Sequence, residues 1–62
     1  MRGWLREIRE AKGFSQAKLA ATVGIAQPSL ANIENGKTNP TISTAKKIAK
    51  VLKFDWTLFF KD

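Results

Sequence analysis

The chain contains neither cysteine nor histidine. Without cysteine there is no disulfide framework, and without either residue the usual zinc ligands and the commonest general base are missing. Tyrosine is absent as well, and acidic residues number five against eleven basic ones. No run approaches the roughly 18 apolar residues that a membrane span requires. The opening MRGWLREIRE carries charge among its apolar positions, which is not the pattern of a secretory signal. The expected setting is therefore the cytoplasm. An enzyme would need an acid, a base or a nucleophile held in a pocket. Ser15 and Ser43 lie at helix starts, where capping explains them. That leaves Ser29, the carboxylates and the lysines, so no catalysis, no metal and no cofactor are expected.

What is present is a short, basic chain. Sixty-two residues make one domain, residues 1–62, which buries only about 60% of its unfolded surface. A net charge of +6 suits a polyanionic partner such as nucleic acid, although many small proteins are basic for solubility alone.

The informative stretch is SQAKLAATVGIAQPSLANIEN, Ser15 to Asn35. Ser15 is a good N-cap, because its hydroxyl can accept from a free N–H of the following turn. Gln16 to Val23 then reads as a helix with Leu19, Ala20 and Val23 on one face. Gly24 ends it by adopting φ > 0 without steric cost. Ile25 follows as an apolar plug. Gln27 to Asn35 reads as a second helix, with Leu30 and Ile33 inward and Pro28 in the first turn, where a missing N–H costs nothing. A connection this short around one glycine makes the helices cross steeply, as in a helix-turn-helix, and Ala20 supplies the small contact. Gln27, Pro28, Ser29 and Asn32 then turn outward, with Ala31 beside them. A face of uncharged donors and acceptors suits reading base edges in a major groove.

The flanks complete an all-α reading. Gly3 to Lys12 forms a first helix with Trp4, Leu5, Ile8 and Ala11 sharing a face. Arg6 and Glu10 pair across one turn on its wet side. Gly13 closes it and Phe14 enters the core. After the second helix of the pair, Asn35-Gly36-Lys37-Thr38-Asn39-Pro40 makes a polar turn. Its lysine and free N–H groups suit phosphate oxygens. Thr41 caps a fourth helix to about Leu52, with Ile42, Ala45, Ile48, Ala49 and Leu52 inside. Lys46, Lys50 and Lys53 form an outer row with Lys47 nearby, read as a solvated face. Asp55 caps a last short helix, Trp56 to Phe60, whose Trp56, Phe59 and Phe60 close the core. Leu58 is left exposed, either in a dimer interface or as a scattered surface leucine.

The run LREIREAKGFSQAKLAATVGIAQPSLANIENGKTNPTISTAKKIAKVLKFD resembles the Cro/cI-type, or XRE-type, helix-turn-helix family. Its most specific pieces are SQAKLA, the Gly24-Ile25 turn and IENGKTNP, in order and at the right spacing. The resemblance implies a compact five-helix lambda-repressor-like domain and a salt bridge between Arg9 and Glu34, which a residue-level reading would otherwise leave as two surface charges. Arg9 can alternatively reach a phosphate. Lys53 stands where the family usually carries glycine.

The expected function is a DNA-binding transcriptional regulator, in the first instance a repressor. Gln27 and Asn32 would read bases through bidentate amide contacts, with Pro28 and Ser29 beside them. Gln16, Asn35, Lys37 and Thr38 would hold phosphates, Gln16 aided by the positive end of its helix. A homodimer on half-sites about 34 Å apart is the expected assembly, with no small-molecule ligand. The alternative is an antitoxin-type or adaptor module on the same fold, which would need an apolar patch on the exposed helix.

Overall fold

Four helices and one 3-10 turn make up the fold of residues 2–61, which the computed structural model describes. They are α1 (Gly3–Ala11), α2 (Gln16–Val23), α3 (Gln27–Glu34), α4 (Ile42–Leu52) and the turn Trp56–Phe60. The fifth element is thus a 3-10 segment rather than an α-helix. No strand occurs among the described residues, and no helix there is long and apolar enough to cross a membrane.

Local chemistry sets the boundaries. Ser15 Oγ accepts from the Lys18 N–H at 3.0 Å and opens α2. Gly24, at φ 79°, closes it, and the Ile25 N–H returns to the Ala20 carbonyl at 2.9 Å. Thr41 Oγ1 accepts from the Thr44 N–H at 3.2 Å to open α4. The Asp55 carboxylate does the same for the 3-10 turn through the Thr57 N–H and hydroxyl, at 3.0 and 2.8 Å. Those two bonds, with Lys61 nearby, hold the Asp55 carboxyl below its ordinary value. Lys53 ends α4 at φ 61°, the one described non-glycine residue with positive φ.

The core joins Leu5, Leu19, Ala20, Val23, Leu30, Ile33, Ala45, Ile48, Leu52 and Phe59. Ala20 is buried on α2, the helix that packs on both α3 and α4. Trp4, Phe54 and Phe59 pack edge-on and tilted, with ring centroids 5.3–5.6 Å apart. Four apolar positions depart from the sequence expectation. Ala11 is exposed: at about 100° per residue it lies some 120° around α1 from Leu5, whereas Arg9 lies about 40° away and takes the inward place. Ile42 is 56% exposed, because it opens α4 and the first turn reaches past the residues packed on the rest of the stripe. Phe60 is 46% exposed. Phe59 takes the inward place against Trp4 and Phe54, and the Phe60 ring lies outside it, edge-on to Trp56 at 6.0 Å. Leu58, expected outside, is half-buried.

Candidate nucleic-acid interface

α3 presents its N-terminal half to solvent. Gln27, Pro28 and Ser29 are exposed, and Asn32, one turn on, is half-buried, as is Ala31. The opposite side buries Leu30, Ile33 and Glu34. The Ala26 carbonyl accepts from the Ser29 and Leu30 N–H groups at 3.0 and 3.2 Å, so α3 starts without a side-chain cap. Pro28 fits there because its position in the first turn has no intrahelical acceptor to satisfy.

A polar chain runs behind this face. Arg9 Nε donates to Glu34 Oε2 at 2.8 Å and Arg9 Nη2 to Glu34 Oε1 at 3.2 Å. The two side chains are 8% and 5% exposed, so water screens the pair little. Arg9 Nη1 also donates to the Phe14 carbonyl at 2.9 Å, which ties the end of the α1–α2 connection to the same guanidinium. Gln16 Nε2 donates to Glu34 Oε1 at 3.4 Å, and Gln27 Nε2 donates to Gln16 Oε1 at 3.4 Å. Each bond uses one of the two donors on its amide nitrogen. Gln27 therefore keeps its Oε1 and one N–H for a ligand, the pair that a bidentate contact with adenine requires. Gln16 keeps one N–H, next to first-turn backbone N–H groups of α2 that lack helical acceptors.

Gln16 and Asn35 stand in the wall of a depression of about 240 Å³ lined also by Arg2, Arg6, Arg9 and Glu34. Three guanidinium groups against one carboxylate make it positive. Arg6 reaches Glu10 at 3.4 Å, but both are more than half exposed, so that pair leaves the guanidinium largely available.

The turn after α3 differs from the expectation in one respect. The N–H groups of Asn35 to Thr38 are not free. Asn35 N–H donates to the Ala31 carbonyl, Gly36 N–H to Ile33, and Lys37 and Thr38 N–H both to Asn32, at 2.9, 3.2, 3.0 and 3.4 Å. Gly36 accommodates this reversal at φ 78°. Phosphate contacts from these three proposed residues, Asn35, Lys37 and Thr38, therefore fall to their side chains, and all three residues are exposed. Pro40 is buried and anchors the far end. The lysines of α4 are exposed, and Lys46 Nζ sits 5.2 Å from the centroid of the Trp56 ring.

Sequence reasoning passed over Arg2. Its backbone N–H donates to the Glu34 carbonyl at 2.8 Å. Its Nη1 donates to the carbonyls of Ile33 and Thr38 at 2.6 and 3.0 Å, and its Nη2 to Asn39 Oδ1. The guanidinium carbon lies 5.7 Å from the Phe59 ring centroid. The only signal was a cation shortly before α1, with nothing local to say what it meets.

A helix-turn-helix family model matches residues 5–59. The chain is 44% identical over 62 residues to the uncharacterized HTH-type transcriptional regulator YqaF of Bacillus subtilis, covering all of this chain and 82% of that protein. It is 35% identical over 54 residues to the antitoxin HipB of Escherichia coli, covering 87% of this chain and 61% of HipB. It spans 31% of each of two longer Escherichia coli regulators. Among solved structures it resembles the N-terminal DNA-binding domain of SinR from Bacillus subtilis, with a TM-score of 0.83 at 28% identity, covering 97% of this chain and 88% of that one.

Proposed function

Because the chain belongs to the Cro/cI-type (XRE) helix-turn-helix family, we propose that it is a sequence-specific double-stranded DNA-binding transcriptional regulator. α3 enters the major groove while α2 crosses above it. Gln27 and Asn32 read bases, Ser29 contacts a base or a phosphate, and Pro28 offers apolar contact to a thymine methyl. Gln16, Asn35, Lys37 and Thr38 hold the flanking phosphates, and the arginine-lined depression beside Gln16 and Asn35 adds positive potential there. Two copies on half-sites about 34 Å apart read a two-fold site. Where that site overlaps a promoter, occupancy represses.

The observation that carries this reading is the exposed, uncharged face Gln27-Pro28-Ser29, continued by Asn32, on a helix whose buried side is clamped by a bidentate ion pair. Base readout needs such a face, and it needs the helix beneath it to stay still. The test is selection of bound duplexes from a randomised library at low ionic strength. A short enriched site is expected, with two-fold symmetry if two copies bind. No enrichment would reject the reading.

The likeness to HipB favours a second reading, an antitoxin-type module with a protein partner. An apolar patch on α3 would be its signature. The two large apolar side chains that stand exposed among the described residues, Ile42 and Phe60, lie on other elements. A protein partner bound there is compatible with DNA on α3.

A further inference from the structure

We infer that Arg2 is a positioning residue that holds the loop 35–39 in the shape needed to contact phosphates, an inference that rests on the DNA-binding reading. Its guanidinium bonds three groups at once. The Ile33 carbonyl belongs to the last turn of α3, while the Thr38 carbonyl and Asn39 Oδ1 belong to the loop. The Phe59 ring backs the group at 5.7 Å. A planar fork can span these acceptors in one fixed geometry, which an ammonium cannot.

The loop has few other ties. Its amides at Gly36, Lys37 and Thr38 are bonded to α3 carbonyls, so one edge is fixed to the helix. Its other edge, the Thr38 carbonyl and the Asn39 side chain, is fixed by Arg2. Lys37 and Thr38, the proposed phosphate contacts, lie at the turn between these two edges and point to solvent. Arg2 thereby links α1's start, α3's end, the loop and the 3-10 turn. Its charge also faces the negative end of the α3 dipole. Three of its five N–H donors are engaged by protein acceptors, and through them Arg2 acts on Lys37 and Thr38.

The test compares Arg2→Lys, which keeps the charge and loses the fork, with Arg2→Gln, which loses both. The probe is the duplex recovered from the library, or a mixed-sequence duplex of about 20 base pairs spanning two half-sites. Arg2→Lys is expected to weaken binding about threefold to tenfold, and to add less than about twofold when Lys37 and Thr38 are both already alanine, because the effect passes through those two side chains. In the free protein, the Lys37 and Thr38 amides should exchange faster in Arg2→Lys while those of α2 and α4 keep the wild-type rate. Three results overturn the inference. Arg2→Lys binding like wild type while Arg2→Gln loses about one unit of salt slope would make Arg2 a direct phosphate contact. Additive losses with the Lys37→Ala/Thr38→Ala double variant would break the route through the loop. Uniformly faster exchange throughout the chain would make Arg2 a general stabiliser. If wild type binds neither duplex at low ionic strength, the DNA reading itself fails and the inference falls with it, so the two failures are distinguishable.

Discussion

Replacing Glu34 by alanine should destabilise the protein enough to bring it close to unfolding. The carboxylate accepts from Arg9 Nε and Nη2 at 2.8 and 3.2 Å and from Gln16 Nε2 at 3.4 Å. With Arg9 8% exposed, its charge has little water to turn to once the partner is gone. Only the bond from Nη1 to the Phe14 carbonyl would remain. Stranding a buried charge in this way costs about 3–5 kcal/mol. A chain of 62 residues has a total stability of about 3–9 kcal/mol at ordinary values per residue. Arg9→Ala should cost a similar amount, since it strands the carboxylate. The double variant Arg9→Met/Glu34→Leu should recover most of the loss, because two apolar side chains of similar volume leave no charge behind. Urea titrations followed by circular dichroism measure all three, provided the slope with denaturant is unchanged. Single variants costing under about 1 kcal/mol would mean the pair behaves like a surface ion pair. A double variant as damaged as the sum of the singles would mean the two side chains act independently. Either result refutes the claim that this pair is a coupled, buried clamp.

Other consequences are smaller and local. Gln27→Ala and Asn32→Ala should each cost about 1–3 kcal/mol on the selected site and relax preference at one base position; equal losses on every duplex in competition assays would show that neither reads a base. Lys37→Ala should weaken binding to all sequences and reduce the slope of log K against log salt by about one, and an unchanged slope would take Lys37 off the phosphate contacts. Lys53→Gly should stabilise the protein by about 0.5–1 kcal/mol, because Lys53 holds φ 61° and a side chain there costs more than glycine's extra chain entropy. Thermal melts should then show a rise of a few degrees, and a lower midpoint would mean the left-handed position carries no strain.

The features legible in the sequence were those decided within a few residues. Ser15, Thr41 and Asp55 cap the segments that follow them, and Gly24 ends α2, because a cap is a contact between neighbours in the chain. The inner stripe of α4 from Ala45 to Leu52 follows from periodicity alone. Periodicity fails where an element ends or changes type. Ile42 shares the stripe's angle but opens the helix, and Phe60 ends a 3-10 turn that an α-helical reading misplaces, where it packs on Trp56 at the rim rather than in the core. Side-chain contacts across the fold were out of reach of any spacing rule. Arg9 and Glu34 are 25 residues apart and entered through family resemblance. Arg2 meets partners 31 to 37 residues away, and no motif announced it. The turn after α3 was read as offering its amides, whereas a polar turn that reverses tightly after a helix spends them on the helix's last carbonyls.

These long-range polar contacts converge on α3 for a physical reason. A helix that presents a reading face must leave much of its surface to solvent, so its buried stripe is narrow. Here that stripe contains only two apolar side chains, Leu30 and Ile33, besides Glu34. Apolar burial is non-directional and tolerates small rotations of a short helix. Hydrogen bonds with fixed geometry do not. Arg9 fixes α3 through a side chain in its last turn, and Arg2 fixes it through the carbonyls of Ile33 and Glu34. Arg9 comes from α1, so α1 sets the angle of α3 although it lies outside the proposed base contacts, while the guanidinium of Arg2 carries the tie on from the end of α3 to the loop after it. Loosening either arginine conservatively should therefore disturb DNA affinity before it disturbs the packing of α2 on α4, because the hydrogen bonds of both arginines end on α3 and the loops and on neither of those helices.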